Sequence, residues 1–314
     1  MMRRAWLERN VWIWSFVLYI VLTAAVSIMS GSFSWNMQVS IATLASFLLL
    51  LTIGQMTVIA TGGGAIDLSI QYTVALAAYL SSELSTRLGL VPGIGASLAA
   101  CAFVGVINGL INMYLKVPPM ITSLAVGYIV YSGVLMISSA TTGMPVPAIA
   151  WFTQSARIGG VSPLVLVALF VALTAAFLLY RTKFGVRLHA VGQNRRAAAL
   201  SGVSVASVVI AAFSISGVLA GIAGILLGGY FGGASQDMGL SYLLTSVAAA
   251  VIGGTNAAGG KSSVAGAIGG SLMLTMTVAF LNLSRLPMSA QNIIQGGLLM
   301  VILIASVPKG KVAR

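Results

Sequence analysis

Apolar residues fall along this chain in blocks near the length needed to cross a bilayer's hydrocarbon core, about 20 residues, with short polar or glycine-rich breaks between them. The blocks predict ten membrane-spanning helices: Val11–Ser30, Asn36–Ala60, Leu68–Thr86, Pro92–Leu115, Met120–Ala140, Pro163–Tyr180, Val205–Phe231, a segment whose core is Leu240–Ile252, Ser263–Leu283 and Met288–Val307. Gly62, Gly63 and Gly64 end the second block, and Lys116, Pro118 and Pro119 close the fourth. Two connections are longer. Thr141–Val161 is a less apolar linker with Pro145, Pro147, Trp151 and Arg157. Arg181–Ser204 is a polar island holding five basic residues. Its second part, Asn194–Gly202, combines an Asn able to cap with two Arg, three Ala and a Leu, which predicts a short helix.

Composition agrees. Charged residues make up 6 % of the chain against about 25 % in soluble domains, and mean hydropathy is +1.04. The expectation is an all-α membrane protein, one transmembrane domain over 1–314. The net charge of +12 has no basic stretch interleaved with aromatics, so a nucleic-acid partner is not expected. With the N-terminus inside, thirteen bases fall on the cytoplasmic side: Arg3, Arg4, Arg9, Lys116, Arg181, Lys183, Arg187, Arg195, Arg196, Lys261, Lys309, Lys311 and Arg314. Only Arg87, Arg157 and Arg285 fall outside. This asymmetry predicts cytoplasmic termini and an uncleaved first span.

The chain also repeats itself. Gly63, Gly64, Asp67, Tyr72, Ala77 and Ala78 have counterparts in Gly232, Gly233, Asp237, Tyr242, Ala248 and Ala249. Pro118–Pro119–Met120 is matched by Pro287–Met288 at nearly the same offset. Five spans separate equivalent points, so the copies enter the membrane in opposite directions. We therefore expect two inverted five-helix repeats, about 11–140 and 162–307, a signature of transporters whose path runs at the repeat interface. Asp67 and Asp237 follow glycines and precede apolar helices, where a carboxylate caps free N–H groups. Asp67 also borders a backbone break that, at membrane depth, must be buried in protein or line a cavity. Candidates for the translocation path are Gly63, Gly64, Asp67, Ser69, Gln71 and Tyr72; Asp237 and Tyr242 are read as repeat equivalents, with Asp237 a cap.

Other chemistry is sparse. Glu83 and Arg87 form an i, i+4 surface pair, and Cys101 reads as a small buried residue. His189 reads as solvated, and the lack of a second histidine argues against a zinc or haem site. Around Gly254–Ser262 the residue six before Lys261 is Thr255, so a phosphate-binding loop is not formed. No cofactor is expected on this chain. Amides in or near spans (Asn36, Gln38, Gln55, Gln71, Asn108, Asn112, Asn282, Gln291, Asn292, Gln295) serve helix contacts, some with the capacity to bond a neutral solute.

Four stretches carry a resemblance to a known family: Gly63-Gly64-Ala65-Ile66-Asp67-Leu68-Ser69; Phe184-Gly185 with Gly192, Asn194, Ala197, Ala198, Leu200, Ser201 and Gly202; Ala249–Thr255; and Gly259-Gly260-Lys261 with Ser263 and Gly266. The sequence is similar to the membrane-spanning permease subunits of ATP-binding-cassette importers, in the branch serving ribose, xylose, arabinose and related sugars. The resemblance implies a bacterial cytoplasmic-membrane permease paired with a second permease, two cytoplasmic ATPase subunits and an extracytoplasmic solute-binding protein. It implies that ATP is bound by the partners, and that docking falls on Phe184, Gly185, Gly192, Asn194, Arg195, Ala197, Ala198, Leu200, Ser201 and Gly202. Ala65, Gln71-Tyr72 and Leu243-Leu244-Thr245 depart from the branch's usual pattern and leave the solute open among sugars, sugar-like signals, polyols and nucleosides. The rival readings are an ion-coupled secondary transporter, which needs an intramembrane ionisable relay, and a membrane enzyme, for which paired acids and nucleophiles are missing.

Overall fold

A computed structural model describes residues 12–284 and, of 286–300, all but 288, 292, 298 and 299. The helices are α1 (Trp12–Ser30), α2 (Trp35–Ala60), α3 (Ile70–Leu88), α4 (Leu90–Tyr114), α5 (Pro119–Ala140), α6 (Pro147–Ala150), α7 (Pro163–Arg181), α8 (Lys183–Gln193), α9 (Arg195–Leu200), α10 (Val205–Phe231), α11 (Leu240–Ile252) and α12 (Val264–Leu283). A π-helical turn, Trp151–Ser155, continues α6. Among the described residues, seven helices are long and apolar enough to cross a membrane: α1, α2, α4, α5, α7, α10 and α12. The chain is an all-α, multi-pass membrane protein. The expected tenth span, Met288–Val307, lies largely outside the described residues, although 293–297 are helical.

Two helices make the centre. Eighteen of the 26 residues of α2 are buried, and α10 is buried along most of its 27. Neither shows an amphipathic stripe, because a helix enclosed on every side has no polar face to present. α10 packs on α2, α3 and α4, and α2 packs on α11, α12 and α7. Small residues set the closest approach. A Cβ on Gly105 would stand 2.2 Å from the Phe213 carbonyl oxygen, and one on Gly217 would stand 2.2 Å from that of Cys101. Association between helices in lipid depends on such contact, because burying apolar surface gains little there. Cys101 is fully buried in this seam. Outside it, α7 presents Leu166, Leu169, Phe170, Leu173 and Phe177 as a lipid-facing side.

α3 and α11 fall outside the set of seven: α3 matches α1 and α7 in length but is less apolar, and α11 is short. Thirteen residues give α11 a length of about 20 Å, short of the ~30 Å hydrocarbon core. Both follow broken backbone, 61–69 and 232–239. The two breaks converge from opposite ends of the protein: a Cβ on Gly239, which precedes α11, would meet the Gln71 carbonyl oxygen in the first turn of α3 at 2.1 Å.

The connections sort into two faces. On one, the Gly260 N–H donates to the Ala60 carbonyl (3.0 Å), Tyr180 Oη to that of Ser262 (3.4 Å) and Arg195 Nη2 to that of Gly62 (3.3 Å). On the other, the Ala234 N–H donates to the Gly143 carbonyl (2.9 Å), Ser82 Oγ to that of Met144, and Gln154 Nε2 to that of Gly229 (2.7 Å). The described bases expected inside cluster on the first face. Arg87, ion-paired with Glu83, lies at the end of α3 on the second.

Candidate functional site

The first site is a polar knot around 66–69. Asp67 is 1 % exposed. Its Oδ1 accepts from the Ser69 N–H (3.0 Å) and Ser69 Oγ (2.6 Å), and its Oδ2 accepts from Ser216 Oγ on α10 (2.8 Å). Gln55 of α2 clamps the same residue's backbone: its Nε2 donates to the Asp67 carbonyl (2.7 Å) and its Oε1 accepts from the Asp67 N–H (3.1 Å). Asn108 of α4 donates to Ser69 Oγ (2.9 Å), and Ser123 of α5 accepts from the Leu68 N–H (3.0 Å). Four helices thus satisfy one stretch of irregular backbone inside the bundle, as non-helical backbone at membrane depth requires. Gln55 lies five residues from the end of α2, about 7 Å along its axis.

The expected capping role therefore changes. The N-cap of α3 is Ser69, and the Asp67 carboxylate bonds that residue rather than the helix's first turn. Asp237 is exposed, and α11 has Gly239 as N-cap with no side-chain cap, so Asp237 does not cap its helix. Among the described residues no hydroxyl donates to its carboxylate as Ser69 and Ser216 do to that of Asp67. Gln71 is buried in the first turn of α3, while Tyr72 stacks against Tyr128 (5.7 Å) and Tyr131 (4.9 Å) of α5. Gly62, Gly63 and Gly64 all have φ near +70°, a left-handed turn that other residues resist. Gly63 and Gly64 are exposed, and nothing lies within 4 Å of a Cβ on Gly64. A side chain at Gly64 is thus opposed by its backbone conformation, not by close packing.

The second site is the polar island, which forms two helices where one was expected. α8 buries Gly185, Leu188 and Val191, three residues apart, against the bundle. Gly185 is obligatory there, since its Cβ would stand 2.0 Å from the Leu179 carbonyl oxygen. Phe184 packs against the main core. Asn194 caps α9 as expected, its Oδ1 accepting from the Ala197 N–H (3.0 Å). Ser201 is the C-cap, and Gly202 turns the chain at φ +83°. Ala198 departs from the expected docking set. It is 4 % exposed and faces its own bundle, so it is not a contact for an outside partner. The face of α9 that looks outward carries Arg196, Ala197, Ala199 and Leu200, and Leu200 is 84 % exposed.

Behind α8 and α9 lies a junction of glycines. A Cβ on Gly192 would stand 1.9 Å from the Ala60 carbonyl oxygen and 2.4 Å from the Gly260 nitrogen. Gly259 lies as close to Gly62, with its Cβ 2.3 Å from the Gly62 Cα. The Arg195 guanidinium lies over Gly63. The island is thereby held directly against the end of α2 and the 253–263 hairpin. We predict that Gly192→Ala lowers thermal stability by about 1–3 kcal/mol, because the backbones must part to admit a methyl group; Gly202→Ala, strained only by φ, should lose less. Melting of the two purified variants checks the order.

His189 is not solvated as its sequence context suggested. Its Nε2 lies 2.9 Å from Ser262 Oγ, and burial pushes the imidazole below its ordinary value of 6.5. The fold therefore favours the neutral ring. Stability from this source is complete above about pH 6.5 and is lost as pH falls below it. The melting temperature should drop between about pH 7.5 and 5.5, less in His189→Gln than in the parent chain.

Residues 37–303 match the family model described as "Branched-chain amino acid transport system / permease component". The chain belongs to this permease family. It is 31 % identical over 310 residues to the ribose import permease protein of Escherichia coli strain K12, covering 96 % of this chain and 94 % of the relative. It is 31 % identical to the galactose/methyl galactoside import permease of Haemophilus influenzae, covering 76 % of each. An autoinducer 2 import system permease of Photorhabdus laumondii is 28 % identical, covering 79 % of this chain and 77 % of the relative. No solved structure matches the chain. Sequence reasoning missed Ser123 and Ser216 of the knot; serines in apolar spans carry no local signal of a partner 55 or 149 residues away.

Proposed function

We propose that the chain is the permease subunit of an ATP-binding-cassette importer and carries a neutral, hydroxyl-rich solute, a sugar or sugar-like molecule, into the cell. The observation that supports this most is the α8–α9 island. It is a rigid, bundle-anchored platform with an exposed apolar tip, Leu200, on the face where the bases gather. In this reading the face is cytoplasmic, the termini lie inside, and the protein sits in the bacterial inner membrane. Separate ATPase subunits bind the island and hold the nucleotide, so this chain needs no cofactor of its own. A second permease subunit and an extracytoplasmic binding protein complete the system.

The inverted repeat belongs to the same proposal. It is supported by matched packing: α4 lies on α10 as α12 lies on α2, and α3 lies on α10 as α11 lies on α2. The first helix of each copy departs from the match, with α1 on α12 but α7 on α2. The convergence of the two breaks at Gly239 and Gln71 supports a path near the repeat interface, with Gly63, Gly64, Asp67, Ser69, Gln71 and Tyr72 beside it. Within the knot, Asp67 and Ser69 hold the break in shape.

The family description concerns amino acids, whereas the relatives above import sugars and a signal molecule. The structure favours the second class. An amino acid carries two charges that need ionic or dipolar partners out of water. The described cavity at the start of α11 offers hydroxyls and amides, and Asp67 is already bonded. Uptake of radiolabelled ribose, galactose and leucine by cells with and without the gene tests this. Sugar uptake that requires the chain is expected; dependence of leucine uptake alone would contradict it.

A further inference from the structure

Three cavities enclosed by the helices differ in size and in what lines them. One of about 640 Å³ between α4, α6, the π-turn and α10 is walled by side chains such as Leu90, Ile94, Leu98, Trp151 and Ile225, all apolar. One of about 210 Å³ beside α7 has two hydroxyls, Thr57 and Thr174, and both donate to carbonyls of their own helices. These suit lipid chains. The third, about 280 Å³, lies between α2, α11, α12 and residue 295. Ser241, Tyr242 and Thr245 line it from the first turns of α11, facing Asn282 and Gln295. The Ser241 hydroxyl, the Tyr242 phenol and both amides make no hydrogen bond to described residues, and Thr245, which donates to the Ser241 carbonyl (2.6 Å), keeps its lone pairs free. Among the described residues, no ionisable group other than the Tyr242 phenol lines the cavity. Leu44 and Leu48 of α2 supply an apolar wall.

Its place in the fold adds to its chemistry. Ile41, in the second turn of α2, and Asn282, near the end of α12, put the cavity in the half of the bundle away from α8 and α9. Its floor is the start of α11, where Gly239 meets Gln71 and the two breaks converge. Transporters commonly hold solute beside such interrupted helices. The corresponding corner beside α3 is filled, since Tyr72 stacks on Tyr128 and Tyr131 there.

We propose that this cavity is a solute-holding site reached from the extracytoplasmic side, and that it takes a neutral polyhydroxylated molecule through Ser241, Tyr242, Thr245, Asn282 and Gln295. The solute's hydroxyls donate to the amide and hydroxyl oxygens and accept from the phenol and amide N–H groups, while its apolar face lies on Leu44 and Leu48. The inference rests on the permease reading above.

Cysteine labelling in intact cells expressing the full transporter tests it. The one native cysteine, Cys101, is buried and gives no background. Thr245→Cys and Asn282→Cys, the second at an exposed position that tolerates change, are treated with a membrane-impermeant methanethiosulfonate. Leu98→Cys in the apolar cavity is the control. We expect both test positions to react and Leu98→Cys to stay unreactive. Ribose, galactose, xylose, ribitol and adenosine are then titrated in, and the solute that the cells take up should slow the test reactions by about threefold or more as the site fills. Unreactive test positions, or labelling untouched by a solute whose uptake depends on the chain, overturn the site and leave the permease reading standing. If uptake of none of the five, nor of other candidate solutes, depends on the chain, the reading and the site fall together.

Discussion

Leu200→Glu is expected to cut ATP-driven uptake at least about tenfold while leaving the amount of folded protein in the membrane unchanged. Leu200 ends α9 with 84 % of its surface exposed, at the tip of a platform fixed by Gly185, Gly192 and Arg195. An apolar side chain held out on a rigid element is what a partner's pocket desolvates, and a carboxylate there would have to give up its hydration to dock. A tenfold loss needs only about 1.4 kcal/mol, well within what one central contact contributes. Ala198→Glu separates docking from folding. Ala198 sits two residues away on the same helix but faces inward, so its glutamate would bury a charge in the chain's own core. That variant should lose folded protein first, by several kcal/mol. Uptake and ATP hydrolysis at matched expression, with melting of each purified chain, distinguish the two. Normal uptake in Leu200→Glu would remove α9 from the coupling contact.

The second large effect is expected at Asp67. Asp67→Leu deprives the Ser69 N–H, Ser69 Oγ and Ser216 Oγ of their acceptor in a fully buried place. An unmade buried hydrogen bond costs about 1–3 kcal/mol, and three share this acceptor. Even with the hydroxyls turning to other carbonyls, a loss of about 2 kcal/mol or more is expected, and transport with it. Asp67→Asn keeps an oxygen for Ser69 and offers its amide N–H to Ser216 Oγ, which accepts as readily as it donates. It should retain most of its stability. Equal losses in the two variants would show that the negative charge, and not the acceptor geometry, is what the knot requires.

The features legible in the sequence were those that are local. Asn194 caps α9 because an amide three residues before a free N–H reaches it whatever the rest of the chain does. The crossing helices follow from apolar length, which the membrane itself imposes. α8 was hidden, although Gly185, Leu188 and Val191 lie at helical spacing, because Lys183, Arg187 and His189 make the stretch read as a loop. The inward turn of Ala198 was hidden too. A run of three alanines gives no clue to which one faces the bundle, and that is set by where Gly192 and Arg195 meet the end of α2. Asp67 and Asp237 look alike in sequence and sit three residues before α3 and α11. They differ locally, because Gly239 stands where Asp67 has Ser69, and through the fold, because Ser216 and the Gln55 clamp reach only the first, and those two partners are tertiary.

Purification of the tagged chain from its native membranes in mild detergent tests the central claim most directly. The account predicts that a nucleotide-binding subunit comes with it, that the complex hydrolyses ATP, and that hydrolysis drives solute uptake after reconstitution. A chain that purifies alone and, in liposomes, accumulates solute on an ion gradient without ATP would contradict it.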